Sequence, residues 1–185
     1  MEGLDALYER MKAKRRAISP HMDYLRSLAE ASKVAVEFGA RAGGSTVALN
    51  YACETHSYDI QRRAVDEPFW REIERLRGGA WHFVVQSSLQ AEIPECDLLL
   101  HDSLHNYDHL TAELERHHGK VRRWIVMHDT EHFGEFGQSP KGGAAPDHMQ
   151  RGMKQAIQDF LDSHSEWSPD RHVAFSNGLT TLERQ

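Results

Sequence analysis

The segment Val34-Ala-Val-Glu-Phe-Gly-Ala-Arg-Ala-Gly-Gly-Ser-Thr46 decides how this chain folds. A short apolar run ends in Glu37 and Phe38, then glycines stand at 39, 43 and 44, and Ser45 or Thr46 can cap a helix. The pattern predicts a buried strand, a tight turn and a helix. Gly39 permits the sharp turn, while Gly43 and Gly44 let backbone amides approach a ligand at the positive end of the helix. The spacing does not match G-x-G-x-x-G, which argues against a nicotinamide site, and no G-x-x-x-x-G-K-[ST] is present to suggest a triphosphatase. The same glycines would also serve a plain strand-to-helix turn that binds nothing.

Working outward, helices are expected over 4–16 and 22–31, separated by Ser19-Pro20, and the helix opened by Ser45 or Thr46 runs to about Glu54. Further strands are expected at 56–60, 81–85, 97–101 and 123–128, with helices over 66–77, 107–118 and 150–164. The segment from His172 to Leu182 reads as two strands joined by Asn177-Gly178, a strong hairpin signal. Five strand-then-helix units and a terminal hairpin predict an α/β, Rossmann-like three-layer sandwich. Its seven-stranded sheet is mostly parallel, with an antiparallel C-terminal hairpin strand. Residues 1–32 are expected to pack as N-terminal helices on a core formed by 33–185, all in one structural domain.

Composition sets the outer bounds. The chain has 185 residues, 39% hydrophobic and 27% charged, which suits one globular domain. No apolar run is long enough for a bilayer, and the first sixteen residues lack the pattern of a signal peptide. A formal charge of −6 argues against a nucleic-acid partner. The one basic cluster, 12–16, reads as a solvated helix face. Cys53 and Cys96 are expected to be buried free thiols, which fits a reducing cytoplasm. The helices over 4–31 could supply a homodimer surface.

In an open parallel sheet, ligands bind beyond the carboxyl ends of the strands. Those ends carry Glu37, which could reach a ligand's amino group, and Asp59, the expected partner of ribose hydroxyls. Asp102 and His105 follow the fourth strand, and His128 and Asp129 close the fifth. Two carboxylates beside two imidazoles can hold a divalent metal or take a proton from a hydroxyl, although strand-end Asp and His also cap helices and bind water. Glu131 and His132 are weaker candidates. The long Gly- and Pro-rich stretch 130–148 could cover a pocket, with Phe133 and Phe136 packing on a substrate.

The glycine loop, Asp97-Leu-Leu-Leu-His-Asp-Ser-Leu-His-Asn-Tyr107, Ile125-Val-Met-His-Asp-Thr130 and Asn177-Gly-Leu-Thr-Thr-Leu182 together resemble class I S-adenosylmethionine-dependent methyltransferases. The likeness is greatest to the branch of cephalosporin hydroxylase-like and macrolide-sugar O-methyltransferases. It implies S-adenosylmethionine as cofactor, held by Glu37, Gly39, Ala40, Arg41, Gly43 and Ser45 of the loop and by Asp59 at the ribose. Gln86, Ser87 and Ser88 would lie near adenine, where the family often has an acid, and Asp102 would adjoin both cofactor and acceptor. Metal-dependent relatives carry carboxylates at the positions of Asp102 and Asp129, and often a third acid where this chain has His128. The resemblance thus implies Mg2+ or Mn2+ on Asp102, His128 and Asp129, with His105, or else Asp102, as catalytic base for O-methylation of a small molecule or sugar. Two other functions stay open: a metal-dependent hydrolase built on the His/Asp cluster, and a non-catalytic protein that binds the cofactor.

Overall fold

The computed structural model describes residues 3–139 and 151–185. The strands are β1 (Val34–Phe38), β2 (Glu54–Asp59), β3 (Trp81–Val85), β4 (Cys96–His101), β5 (Val121–His128), β6 (Trp167–Val173) and β7 (Leu179–Arg184). The helices are α1 (Leu4–Lys12), α2 (Met22–Glu30), α3 (Gly44–Leu49), α4 (Glu67–Arg77), α5 (Tyr107–His117) and α6 (Met153–Ser163). They build one sheet in the order β3-β2-β1-β4-β5-β7-β6, in which β1 to β5 run parallel and β7 is antiparallel to both neighbours.

Alternation along the strands splits the core in two, because successive side chains point to opposite faces. Ala35, Leu98, Leu100 and Val126 meet α1 to α4 on one face; Val36, Phe38, Leu99 and Ile125 meet α5 and α6 on the other. The N-terminal helices belong to the first layer through Leu7, Tyr8, Met11, Met22 and Leu25, all buried there. No described helix is long and apolar enough to cross a membrane.

Five expectations need correction. Helix α3 stops at Leu49 rather than Glu54: Asn50 folds its amide back to the Thr46 carbonyl (2.8 Å), and Thr55 Oγ1 donates to the Leu49 carbonyl (3.0 Å). Cys53 therefore lies in a turn and is exposed, while Cys96 is buried as expected. No helix joins β3 to β4. Residues 86–95 instead run as a strap across the second face, filling it with Ala91 and Ile93. The terminal turn spans 174–178 rather than two residues, with Ser176, Asn177 and Gly178 all at positive φ. Strand β6 begins earlier than expected, at Trp167, and accommodates Pro169 beside a register shift on the sheet's edge. Residues 140–150, the far half of the long loop, lie outside the described residues.

Candidate active site

Three backbone hydrogen bonds continue the ladder past the strand ends. Gly39 N donates to Tyr58 O, Gln86 N to Asp59 O and Asp102 N to Phe38 O, each at 2.8 to 2.9 Å. They align the ends of β1 to β4 in one rim. Gly39, at φ +88°, turns the chain there, and a Cβ on it would run into the Asp102 carbonyl, so the two loops meet backbone to backbone.

A cavity of about 780 Å³ opens over this rim, within the range of small-molecule sites. Of the residues expected to hold a cofactor, Gly39, Arg41, Asp59, Gln86, Ser87, Ser88 and Asp102 line it. Asp59 accepts from the amides of Arg41 (2.8 Å) and Gln61 (3.1 Å), which fixes its carboxylate on the wall. Each oxygen keeps a lone pair for another donor.

Glu37, Ala40, Gly43 and Ser45 are not brought to that wall. Glu37 is fully buried beneath the loop, accepting from Ser45 Oγ (2.9 Å) and Ser57 Oγ (2.5 Å), and Trp81 Nε1 donates to Ser57 in turn (2.9 Å). Burial pushes its carboxyl up to about 7, against hydrogen bonds from Ser57, Thr46 and Ser45 that favour the ionised form. It joins the loop to β2 and β3 instead of reaching outward. Gly43, at φ +77°, has its open side filled by the Phe69 ring, so its missing side chain makes room for α4 rather than for a ligand.

The second half of the cavity is lined by Asp102, His105 and Asp129 at the ends of β4 and β5, with His128 buried beside them. Ligand-capable atoms of Asp102, His105, His128 and Asp129 all lie within 4.8 Å of one another. Asp102 Oδ1 is 3.1 Å from His128 Nδ1 and 3.2 Å from His105 Nε2; Asp129 Oδ2 is 3.6 Å from His105 Nδ1. Burial would raise the Asp102 pKa, but the His128 and His105 rings outweigh it and hold the carboxyl well below the usual range. Burial likewise opposes charge on His105 and His128, and Asp102 with Asp129 outweighs it, so both rings are raised. Asp129 adopts φ +62°, a conformation a non-glycine residue keeps only when its surroundings impose it. Buried His128 Nε2 and Asp129 Oδ1 have no hydrogen-bond partner among the described residues. His128 turns its other nitrogen, Nδ1, to Asp102 and Asp129, so the orphaned Asp129 Oδ1 is the atom that belongs to this compact N2O2 set, whose chemistry fits a divalent cation.

Several site residues carried no local sequence signal. Gln138 comes back from the loop so that its Oε1 accepts from His105 Nδ1 (3.0 Å), and Phe133 stacks on the His105 ring at 5.4 Å. His109 reaches the wall from α5, tied to buried Glu113 (3.0 Å), which His101 also meets at 2.8 Å. Asn106 in front of α5 was the readable part, since it caps the helix by accepting from His109 N (2.9 Å). His132 lines the cavity, whereas Glu131 turns away to Lys154 (3.1 Å) and His172 (2.9 Å). Phe136 is half exposed and does not line the cavity.

No protein-family model matches the chain, and no curated protein matches it in sequence. Solved structures do match. A Burkholderia thailandensis 1,6-didemethyltoxoflavin-N1-methyltransferase, with its substrate and S-adenosylhomocysteine bound, superposes with a TM-score of 0.68 at 14% identity, covering 91% of this chain and 78% of that one. The S-adenosylhomocysteine-bound Podospora anserina methyltransferase PaMTH1 gives 0.64 at 16% identity over 100% and 89% of the two chains. An O-methyltransferase from Bacillus cereus in complex with S-adenosylhomocysteine gives 0.63 at 16% over 90% and 81%. At such identities the likeness is one of architecture, and this chain has the fold of the S-adenosylmethionine-dependent methyltransferases.

Proposed function

We propose that the protein is an S-adenosylmethionine-dependent methyltransferase that methylates a hydroxyl of a small molecule or sugar, assisted by a divalent metal. One observation carries this reading: Asp59 and three members of the cluster, Asp102, His105 and Asp129, line a single cavity at the strand ends, with His128 buried beside Asp102. The neighbouring structures include both an N1- and an O-methyltransferase, so the choice of a hydroxyl rests on the cluster rather than on the fold.

Asp59 takes the ribose hydroxyls, and Gln86, Ser87 and Ser88 flank the far end of the nucleoside. Asp102, His128 and Asp129 would hold the metal, Mg2+ or Mn2+, which lowers the pKa of a hydroxyl next to it. The Gln138 carbonyl oxygen accepts a hydrogen bond from His105 Nδ1–H, so the proton that His105 exchanges with the acceptor would be the one at Nε2, the nitrogen 3.2 Å from Asp102 Oδ1. Phe133 fixes the ring plane by stacking. A hydrolase would use the cluster but leave Asp59 and the far half of the cavity idle.

Calorimetric titration with S-adenosylhomocysteine tests the cofactor. Binding is expected, weakened at least tenfold, or about 1.4 kcal/mol, in Asp59→Ala; an absence of binding to the unaltered protein would overturn the reading. The metal is tested by repeating the titration and a thermal melt after EDTA and again with Mn2+. Manganese should raise the melting temperature, and Asp129→Ala should abolish that rise. If neither Mn2+ nor Asp129→Ala changes melting or cofactor affinity, the metal drops out.

A further inference from the structure

The opposite end of the molecule holds a second concentration of metal-ligating groups. Parallel strands joined by helices send those helices back antiparallel, so the last turns of α5 and α6 both lie far from the cavity. Each of the two helices is capped at its C-terminus by a histidine, His118 and His164. Carbonyl groups at a helix C-terminus carry partial negative charge, so two such ends side by side favour a cation. Glu115, one turn back on α5, and Glu166, three residues beyond α6, add two carboxylates nearby.

The distances are those of a ligand set. Glu115 Oε1 lies 3.1 Å from His164 Nε2, and Glu166 Oε1 lies 3.6 Å from both His118 Nδ1 and His164 Nδ1. Two ligand atoms on a tetrahedral zinc ion, each bonded at about 2.0 Å, stand about 3.3 Å apart. The imidazole rings are 4.2 Å apart and tilted by 52°, and single ligand atoms of Glu115, His118 and His164 all lie within 4.8 Å of one another, while Glu166 meets the other nitrogen of His164. Buried His118 Nδ1 has no hydrogen-bond partner among the described residues. The neighbouring cation, Arg184, comes only to 4.0 Å from Glu166. A third group, Glu54, His56 and His82, has both Nε2 atoms already on one Glu54 oxygen, at 2.7 and 3.2 Å, and holds no buried unpartnered atom.

We propose that Glu115, His118 and His164 form a second metal site, structural in kind, with Glu166 orienting the histidines from outside it; the site binds a late first-row divalent ion such as Zn2+ and pins the end of α5 to the corner between α6 and β6. Imidazole ligands select zinc over magnesium, and the Glu115 carboxylate offsets part of its charge. The site is independent of the cavity and of the proposed methyl transfer.

The test uses the full chain, stripped with EDTA, and ZnCl2 as the probe in calorimetry and thermal melts. The unaltered protein should bind one more equivalent of zinc than His118→Ala/His164→Ala, and micromolar zinc should raise its melting temperature by several degrees more. Affinity for S-adenosylhomocysteine should be the same in both, which separates loss of this site from general damage. Both histidines pack near Phe160, so Glu115→Gln/Glu166→Gln provides a second variant that leaves the packing alone; it should weaken the extra equivalent at least tenfold. Equal zinc stoichiometry and equal stabilisation in the unaltered protein and the glutamine pair would overturn the proposal.

Discussion

Glu37 carries its carboxyl at the floor of the glycine turn, among hydroxyl groups and with no cation bonded to it, so its protonation is tied to folding. Its folded pKa of about 7 lies above the ordinary value of 4.5, so the native state binds more protons than the unfolded chain between those values. The stability it lends is complete below about pH 4.5 and lost as pH rises through 7, a difference of roughly 3 kcal/mol. Glu37→Gln removes that titration. Urea melts at pH 5 and pH 8 should show the unaltered protein losing more stability between them than the variant; identical losses would place the proton elsewhere. The residue also marks a limit of reading by pattern. An acid at the end of β1 is visible in a string of letters, but its direction is not. Only the positions of Ser45, Ser57 and Trp81 show that it faces inward.

At the scale of elements, the turn between β1 and α3 is held by what α4 puts against it. Gly43 combines a positive φ with the Phe69 ring where a side chain would begin. Gly43→Ala should cost about 2 kcal/mol or more, part backbone strain and part collision. Phe69→Ala should recover the collision but not the strain. In a double-variant cycle read by chemical denaturation, the two losses should therefore fall well short of additive; simple additivity would show that the ring yields freely. Most elements were legible because Val34–Phe38, Cys96–His101 and Val121–His128 are apolar runs with sharp ends. The end of α3 was not, since Asn50 and Thr55 close it through side-chain bonds that propensity does not register. The strap 86–95 was missed for a related reason: only ten residues separate β3 from β4, and nothing in them announces that Ala91 and Ile93 replace a helix.

For the whole molecule, the N-terminal helices matter more than a boundary near residue 32 suggests. Leu7, Tyr8, Met11, Met22 and Leu25 are almost wholly excluded from solvent and share one cluster with the sheet. A chain beginning at Ser32 should lose cooperative melting and near-ultraviolet dichroism and bind a hydrophobic dye; a sharp transition in that fragment would show a self-sufficient core. The strand ends of the site were readable as a set, because parallel order places Asp59, Asp102 and Asp129 on one rim. Phe133 was named as a pocket residue and lines the cavity, but neither its stacking on His105 nor the return of Gln138 was readable, since both depend on how a long loop folds back. The strap has a consequence for motion. Its first residues are cavity wall and its later ones are core cover, held across the sheet by bonds such as Tyr58 to the Glu92 carbonyl (3.3 Å). Its first residues, Gln86 and Ser87, are only partly covered and lie on the cavity, so they should open more readily than the buried Ala91 and Ile93. Amide hydrogen exchange should accordingly be faster at 86–87 than at 91–93 in the free protein and slow sharply along the strap when S-adenosylhomocysteine binds, so that occupancy of one end of the sheet is reported along its back.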